Sequence, residues 1–67
     1  MFHSKLKNIC KTKGIMKAPD LYRMMLDAGF RGSERTVRYW WDGKRAPSYK
    51  GIQKLAETLN VQASIFF

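Results

Sequence analysis

The chain has 67 residues, enough for one domain with one modest core. Thirteen Lys+Arg against five Asp+Glu give a formal charge of +8, which implies a polyanionic partner, nucleic acid first, over a merely solubilising surface. The lone Cys10 excludes an intrachain disulfide and a cysteine-rich zinc site, and no stretch approaches the ~18 apolar residues of a membrane span. No signal-peptide core follows Met1 and no tag-like tail closes the chain, so a complete, cytoplasmic and nucleoid-associated product is expected.

The first predicted helix runs from about Phe2 or Ser4 to Lys13. Phe2, Leu6, Ile9 and Cys10 recur at i, i+4, i+7 and i+8 and make one apolar face, while Lys5, Lys7 and Lys11 project from the others. Gly14 supplies the cap, with Ile15 folded back on the helix end. Cys10 is expected in the core, since nothing near it in sequence would activate a thiol. His3 is expected at the solvated surface. The second helix starts at Pro19, whose missing N–H has no helical partner to lose. Leu21, Met24, Met25 and Ala28 form its apolar face, Tyr22 and Leu26 widen it, and Gly29 stops it. Phe30 is expected to drop into the core and Arg31-Gly32 to complete the turn.

Ser33–Gly43, SERTVRYWWDG, is the most informative stretch. Ser33 is a good N-cap, Glu34 suits the positive end of the helix dipole, and Gly43 is the natural left-handed stop. Val37, Trp40 and Trp41 form an apolar stripe, whereas Arg35, Arg38, Tyr39 and Asp42 form a polar one on the other side. A helix pinned to a core by aromatics and offering arginine, tyrosine and acid outward suits the major groove of DNA. Arg35 and Arg38 could equally form a solvated face paired with Glu34 or Asp42, and Tyr39 could pack, bind a phosphate or touch a base. After the basic connection Lys44-Arg45-Ala46-Pro47, Ser48 caps a fourth helix carrying Ile52, Leu55, Ala56 and Leu59 on one face, with Asn60 as its stop. Gln62–Phe67 adds a further helical turn or two. With no strand-like alternation, repeat or low-complexity run, the reading is a single all-α domain over residues 1–67, compact and built of four to five helices.

Val37-Arg38-Tyr39-Trp40, then Asp42-Gly43-Lys44-Arg45-Ala46-Pro47-Ser48, then Leu55-Ala56-Glu57-Thr58-Leu59-Asn60-Val61 resembles the lambda-repressor/Cro-type (XRE-like) helix-turn-helix domains. The likeness is specific over Val37–Val61 and looser over residues 1–32. Three positions depart from the pattern. Trp41 stands where the family usually has an acid paired to an arginine of the first helix, leaving Trp41 to pack on that helix. Gly29–Thr36 is longer than the usual tight turn. Lys17-Ala18-Pro19 replaces the Thr/Ser-Gln opening of the second helix, with Lys17 in place of the glutamine that contacts a phosphate.

The resemblance implies a sequence-specific regulator of transcription, a Cro-like repressor of bacterial or phage genes, that reads double-stranded DNA. Ser33, Glu34, Arg35, Thr36, Arg38 and Tyr39 then fall where base edges and flanking phosphates are met. Arginine can fork onto guanine N7 and O6, and glutamate can accept from cytosine N4. Lys17, Arg31, Lys44, Arg45 and Lys50 are the phosphate-contact candidates, because cations on loops and helix N-termini fix orientation without reading sequence. Such domains usually bind two half-sites as symmetric dimers. A homodimer is therefore expected, with Ile65, Phe66 and Phe67 as interface candidates, although Ile65 and Phe66 also fit the family's last core positions.

Two other DNA- or protein-binding readings compete. An excisionase/MerR-type winged helix shares the look of Thr36–Trp40 with Gly43 and Pro47 but requires a β-hairpin after the motif. An antitoxin-like interaction module would use the apolar tail. An enzyme is not expected: the five carboxylates make no obvious pair, and His3 and Cys10 have no partners in sequence. No metal, cofactor, small-molecule ligand or membrane partner is expected either.

Overall fold

The computed structural model describes residues 1–67, which form four α-helices and a closing 3₁₀ turn: α1 (Phe2–Thr12), α2 (Ala18–Asp27), α3 (Glu34–Asp42), α4 (Tyr49–Leu59) and Ala63–Phe66. The helix ends follow local chemistry. Ser33 Oγ accepts the Thr36 N–H at 3.2 Å, and Ser48 Oγ accepts the Gly51 N–H at 3.3 Å, so both predicted N-caps are made. After α1, α2 and α4 the chain reverses through a left-handed residue, and the next N–H reaches back to a carbonyl five residues earlier. These bonds are Ile15 to Cys10 at 2.9 Å, Phe30 to Met25 at 2.9 Å and Val61 to Ala56 at 3.0 Å. The residue making each bond is apolar and lies on the core, which draws the following segment inward. α3 makes the same bond, from Lys44 N–H to the Tyr39 carbonyl at 3.0 Å, but without an apolar residue to make it. Its left-handed stop is Gly43, at φ +80°, but the next residue is Lys44, so the chain continues over the surface.

One core holds the helices together. α1 contributes Leu6 and Cys10, α2 Leu21 and Met25, α3 Val37 and Trp40, and α4 Ile52, Leu55 and Leu59, with Phe66 closing one end against Phe2 at a ring separation of 5.4 Å. Each fully buried side chain of this size contributes ~1.5–3 kcal/mol, so a handful from every helix suffices for a chain this short. No polar or charged residue is buried, and no buried side-chain polar atom lacks a partner. All the charge is therefore on the outside of a body 24 × 24 × 23 Å across.

The turn that carries the chain into α3 is held by aromatics. Phe30 meets Tyr22 edge-on at 6.4 Å and Trp40 at 5.8 Å, and folds so tightly over Gly32 that an added Cβ there would collide with its ring. The Tyr22 hydroxyl lies 3.4 Å from the Gly32 carbonyl. The longer connection before α3 is thus packed rather than loose.

Several expectations need correction. α2 begins at Ala18, one residue before Pro19, with the proline in its first turn where no intrahelical bond is lost. Met24 and Leu26 are exposed at 38% and 46%, because α2 turns Ala18, Leu21 and Met25 inward. His3 is half-buried: its ring closes over Gly43, where a Cβ would sit 2.7 Å from Nδ1. Phe66 is buried and belongs to the monomer core, so it leaves the set of interface candidates, while Ile65 is 47% exposed. In a 3₁₀ turn positions i and i+3 eclipse, which aligns Ala63 with Phe66 inward and turns Ile65 out. No β-hairpin follows α3; the segment is α4.

Candidate nucleic-acid interface

α3 is two-faced because its core-side residues leave no other choice. Val37 and Trp40 are buried and fix the rotation of the helix, and Trp41 is half-buried beside α1. The opposite face is then presented outward by geometry alone. On it, Arg35 Nε donates to Tyr39 Oη at 2.8 Å, and the guanidinium carbon lies 5.5 Å from the tyrosine ring centre. Lys44 Nζ lies 6.0 Å from the same ring. Arg35, Tyr39 and Lys44 are one cluster.

The remaining predicted base-facing residues divide differently. Arg38 is paired with Glu34 at 3.0 Å across one helical turn, the arrangement of a solvated face. Such exposed pairs contribute little, ~0.3–0.5 kcal/mol, and open readily. Ser33 is committed to its cap, and its Oγ is also 3.1 Å from Thr36 Oγ1, so both hydroxyls engage each other at the start of the helix.

The cations beyond α3 are arranged on its flanks. The Tyr39 carbonyl accepts the N–H groups of Gly43, of Lys44 at 3.0 Å and of Arg45 at 3.3 Å. This triple acceptance ties the basic loop to the last turn of α3 and places Lys44 and Arg45, both exposed, next to the Arg35–Tyr39 face. On the Thr36 side, Arg31 and Lys50 come together across a cleft of about 410 Å³ that separates the α2–α3 turn from the start of α4. Lys17 stands apart, exposed at the N-cap of α2.

Lys54 also lines that cleft and was not singled out in the sequence. It donates to the Ala28 carbonyl at 3.1 Å and pairs with Glu57 at 2.8 Å, so it braces α4 against the end of α2. Only its spacing from Lys50 along α4 could have hinted at a shared face. Tyr49 is a second omission: 63% exposed, it stacks on Phe67, itself 67% exposed, at 6.3 Å and an angle of 19°. Phe67 is further held by Lys5 Nζ, which donates to its carbonyl at 3.0 Å.

Screening decides how these charges act. At physiological salt the Debye length is ~8 Å, about a third of the molecule's width, so distant cations add little and local clusters dominate. The surface thus offers a local group of cations around the planar guanidinium of Arg35 and the ring of Tyr39. No protein-family model, curated protein or solved structure gives a significant match to this chain.

Proposed function

We propose that the protein is a sequence-specific double-stranded DNA-binding regulator of the lambda-repressor/Cro type. In this reading α2, the turn and α3 act as the helix-turn-helix, and a Cro-like repression of bacterial or phage genes is the use it serves. The observation that carries the reading is the division of α3: Val37 and Trp40 buried on one side, and on the other the exposed Arg35 and Lys44 gathered around a half-buried Tyr39. An α-helix such as α3 is ~10–12 Å across with its side chains, which a B-DNA major groove ~12 Å wide admits. The net charge of +8, none of it buried, supplies the non-specific attraction to phosphates. Arg35 and Tyr39 read bases, Lys44, Arg45, Arg31 and Lys50 hold phosphates, and Lys17 contacts the backbone from α2.

The same reading includes a homodimer on a two-half-site operator. Its support is the exposed aromatic stack of Tyr49 and Phe67 with Ile65 nearby in sequence, an apolar surface that a second subunit would cover. Sedimentation should find a dimer at least on DNA; a monomer both free and on its selected site would overturn the dimer.

Selection of bound sequences from random duplex DNA, with binding measured at two salt concentrations, tests the function. A consensus of two related half-sites, still preferred over random DNA as salt rises, is the expected result. Enrichment of nothing, with steep salt-dependent binding to every duplex, would reduce the protein to a basic helical domain and overturn the regulator.

A further inference from the structure

The side of α3 away from the Arg31–Lys50 cleft carries a second basic groove. Lys7 and Lys11 of α1 form its walls, Ile15, Met16 and Trp41 its apolar floor, and its volume is about 270 Å³. Lys7 Nζ lies 5.9 Å from the Trp41 ring centre, and Met16 is 62% exposed. Neither lysine meets an acid: the two ion pairs of the protein are Arg38–Glu34 and Lys54–Glu57, and the first acid in the chain is Asp20. Trp41 follows Arg38 by three residues on α3, so the groove runs along the flank of the helix rather than on a remote face.

Two ammonium groups one helical turn apart repel each other, and nothing in the fold neutralises them. An apolar floor between such walls matches a sugar–phosphate chain, with the deoxyribose on Trp41 and Met16 and the phosphates on the lysines. A helix in the major groove has one DNA backbone on each side of it. The Arg31–Lys50 cleft can meet one. We propose that the Lys7–Lys11–Trp41 groove receives the other, a phosphate-holding site on the first helix that extends the footprint on one strand; this rests on the DNA reading above.

The test compares the wild type with the double variant Lys7→Gln/Lys11→Gln on a long duplex carrying the selected site. Affinity is measured across a salt series, and acrylamide quenching of tryptophan emission is followed with and without DNA. Quenching reads Trp41, because Trp40 is only 6% exposed. Each phosphate contact contributes ~0.9 to the slope of log affinity on log salt, so the double variant should lose about 1.8. Trp41 should be shielded in the wild-type complex. Both lysines are exposed, and circular dichroism of the variants should be unchanged; the single variants should each lose about 0.9. If the wild type binds duplex DNA but the slope does not change and Trp41 stays quenchable, the groove proposal fails and the DNA reading stands. If the wild type binds no duplex, both fail. Polyglutamate shielding Trp41 where duplex DNA does not would overturn the groove as a DNA site and assign it to an acidic protein segment.

Discussion

Tyr39 takes up the Nε–H of Arg35 at 2.8 Å and leaves the two terminal nitrogens of the guanidinium without a partner. Those terminal nitrogens, with the plane of the group fixed, are what a bidentate contact to guanine needs. The pairing therefore holds the arginine in a defined direction before any ligand arrives. Arg38 differs: its Nη2 donates to Glu34 at 3.0 Å, and no neighbour holds its guanidinium toward the outside of α3.

From this asymmetry, Arg35→Ala should cost ~1–3 kcal/mol on the selected DNA site and much less on random duplex. Tyr39→Phe removes only the hydroxyl that orients the arginine and should cost about 1 kcal/mol in the same direction. Arg38→Ala should change discrimination less than Arg35→Ala does. Titrations of the three variants against specific and random duplexes check this. Equal losses on both DNAs for Arg35→Ala would remove its base-reading role.

Lys44 and Arg45 are held by their backbone N–H groups on the Tyr39 carbonyl, so substituting their side chains should leave the loop path intact. Lys44→Ala and Arg45→Ala should each weaken binding to all sequences alike and lower the salt slope by ~0.9. A salt series on two unrelated duplexes measures both effects. A loss confined to one sequence would turn these residues into readers.

Trp40 sits between Phe30 and α4, where a Cβ on Gly51 would lie 3.1 Å from its ring and 2.9 Å from Pro47 Cβ. Trp40→Ala should cost ~3–5 kcal/mol. At ~0.05–0.15 kcal/mol per residue, a chain this short has only ~3–10 kcal/mol in all, so that variant should be largely unfolded. Gly51→Ala should cost ~1–3 kcal/mol by forcing α4 away from α3. Urea unfolding followed by circular dichroism tests both, and a stably folded Trp40→Ala would refute the core assignment.

Burial pushes the Cys10 thiol up from 9.0 to about 11. Between those values the unfolded chain has lost a proton that the folded chain keeps, so raising the pH favours unfolding. The stabilisation is fully present below pH 9 and should decline by about 2–3 kcal/mol by pH 11. Comparing wild type with Cys10→Ala across this range isolates the contribution, since the difference between their pH slopes belongs to the thiol. At neutral pH, Cys10 should react with thiol reagents only as fast as the domain opens.

The cap residues were the most legible part of the chain. Ser33, Ser48, Gly43 and Asn60 act within three or four residues of themselves, so their positions in sequence already fix where α3 and α4 begin and end. The two-sidedness of α3 was legible for the same reason, since a 3.6-residue period converts spacing into direction. Pairings one turn apart were legible only as options: Arg38 could have met Glu34 or Asp42, and the structure has it on Glu34.

What the sequence by itself determined, then, is the order and extent of the helices, the outward face of α3 and the basic surface. The tertiary structure decided which apolar residues are inside. Met24 and Leu26 lie out because Ala18, Leu21 and Met25 are the residues α2 turns inward, and Phe66 lies in because the final 3₁₀ turn aligns it with Ala63. It also decided the groupings that cross from one helix to another: Lys7 and Lys11 beside Trp41, Arg31 opposite Lys50, Tyr49 against Phe67. Local periodicity sets the direction of a side chain relative to its own helix axis. The distance between residues on different helices is set by how the buried faces pack, and packing is a property of all four helices at once.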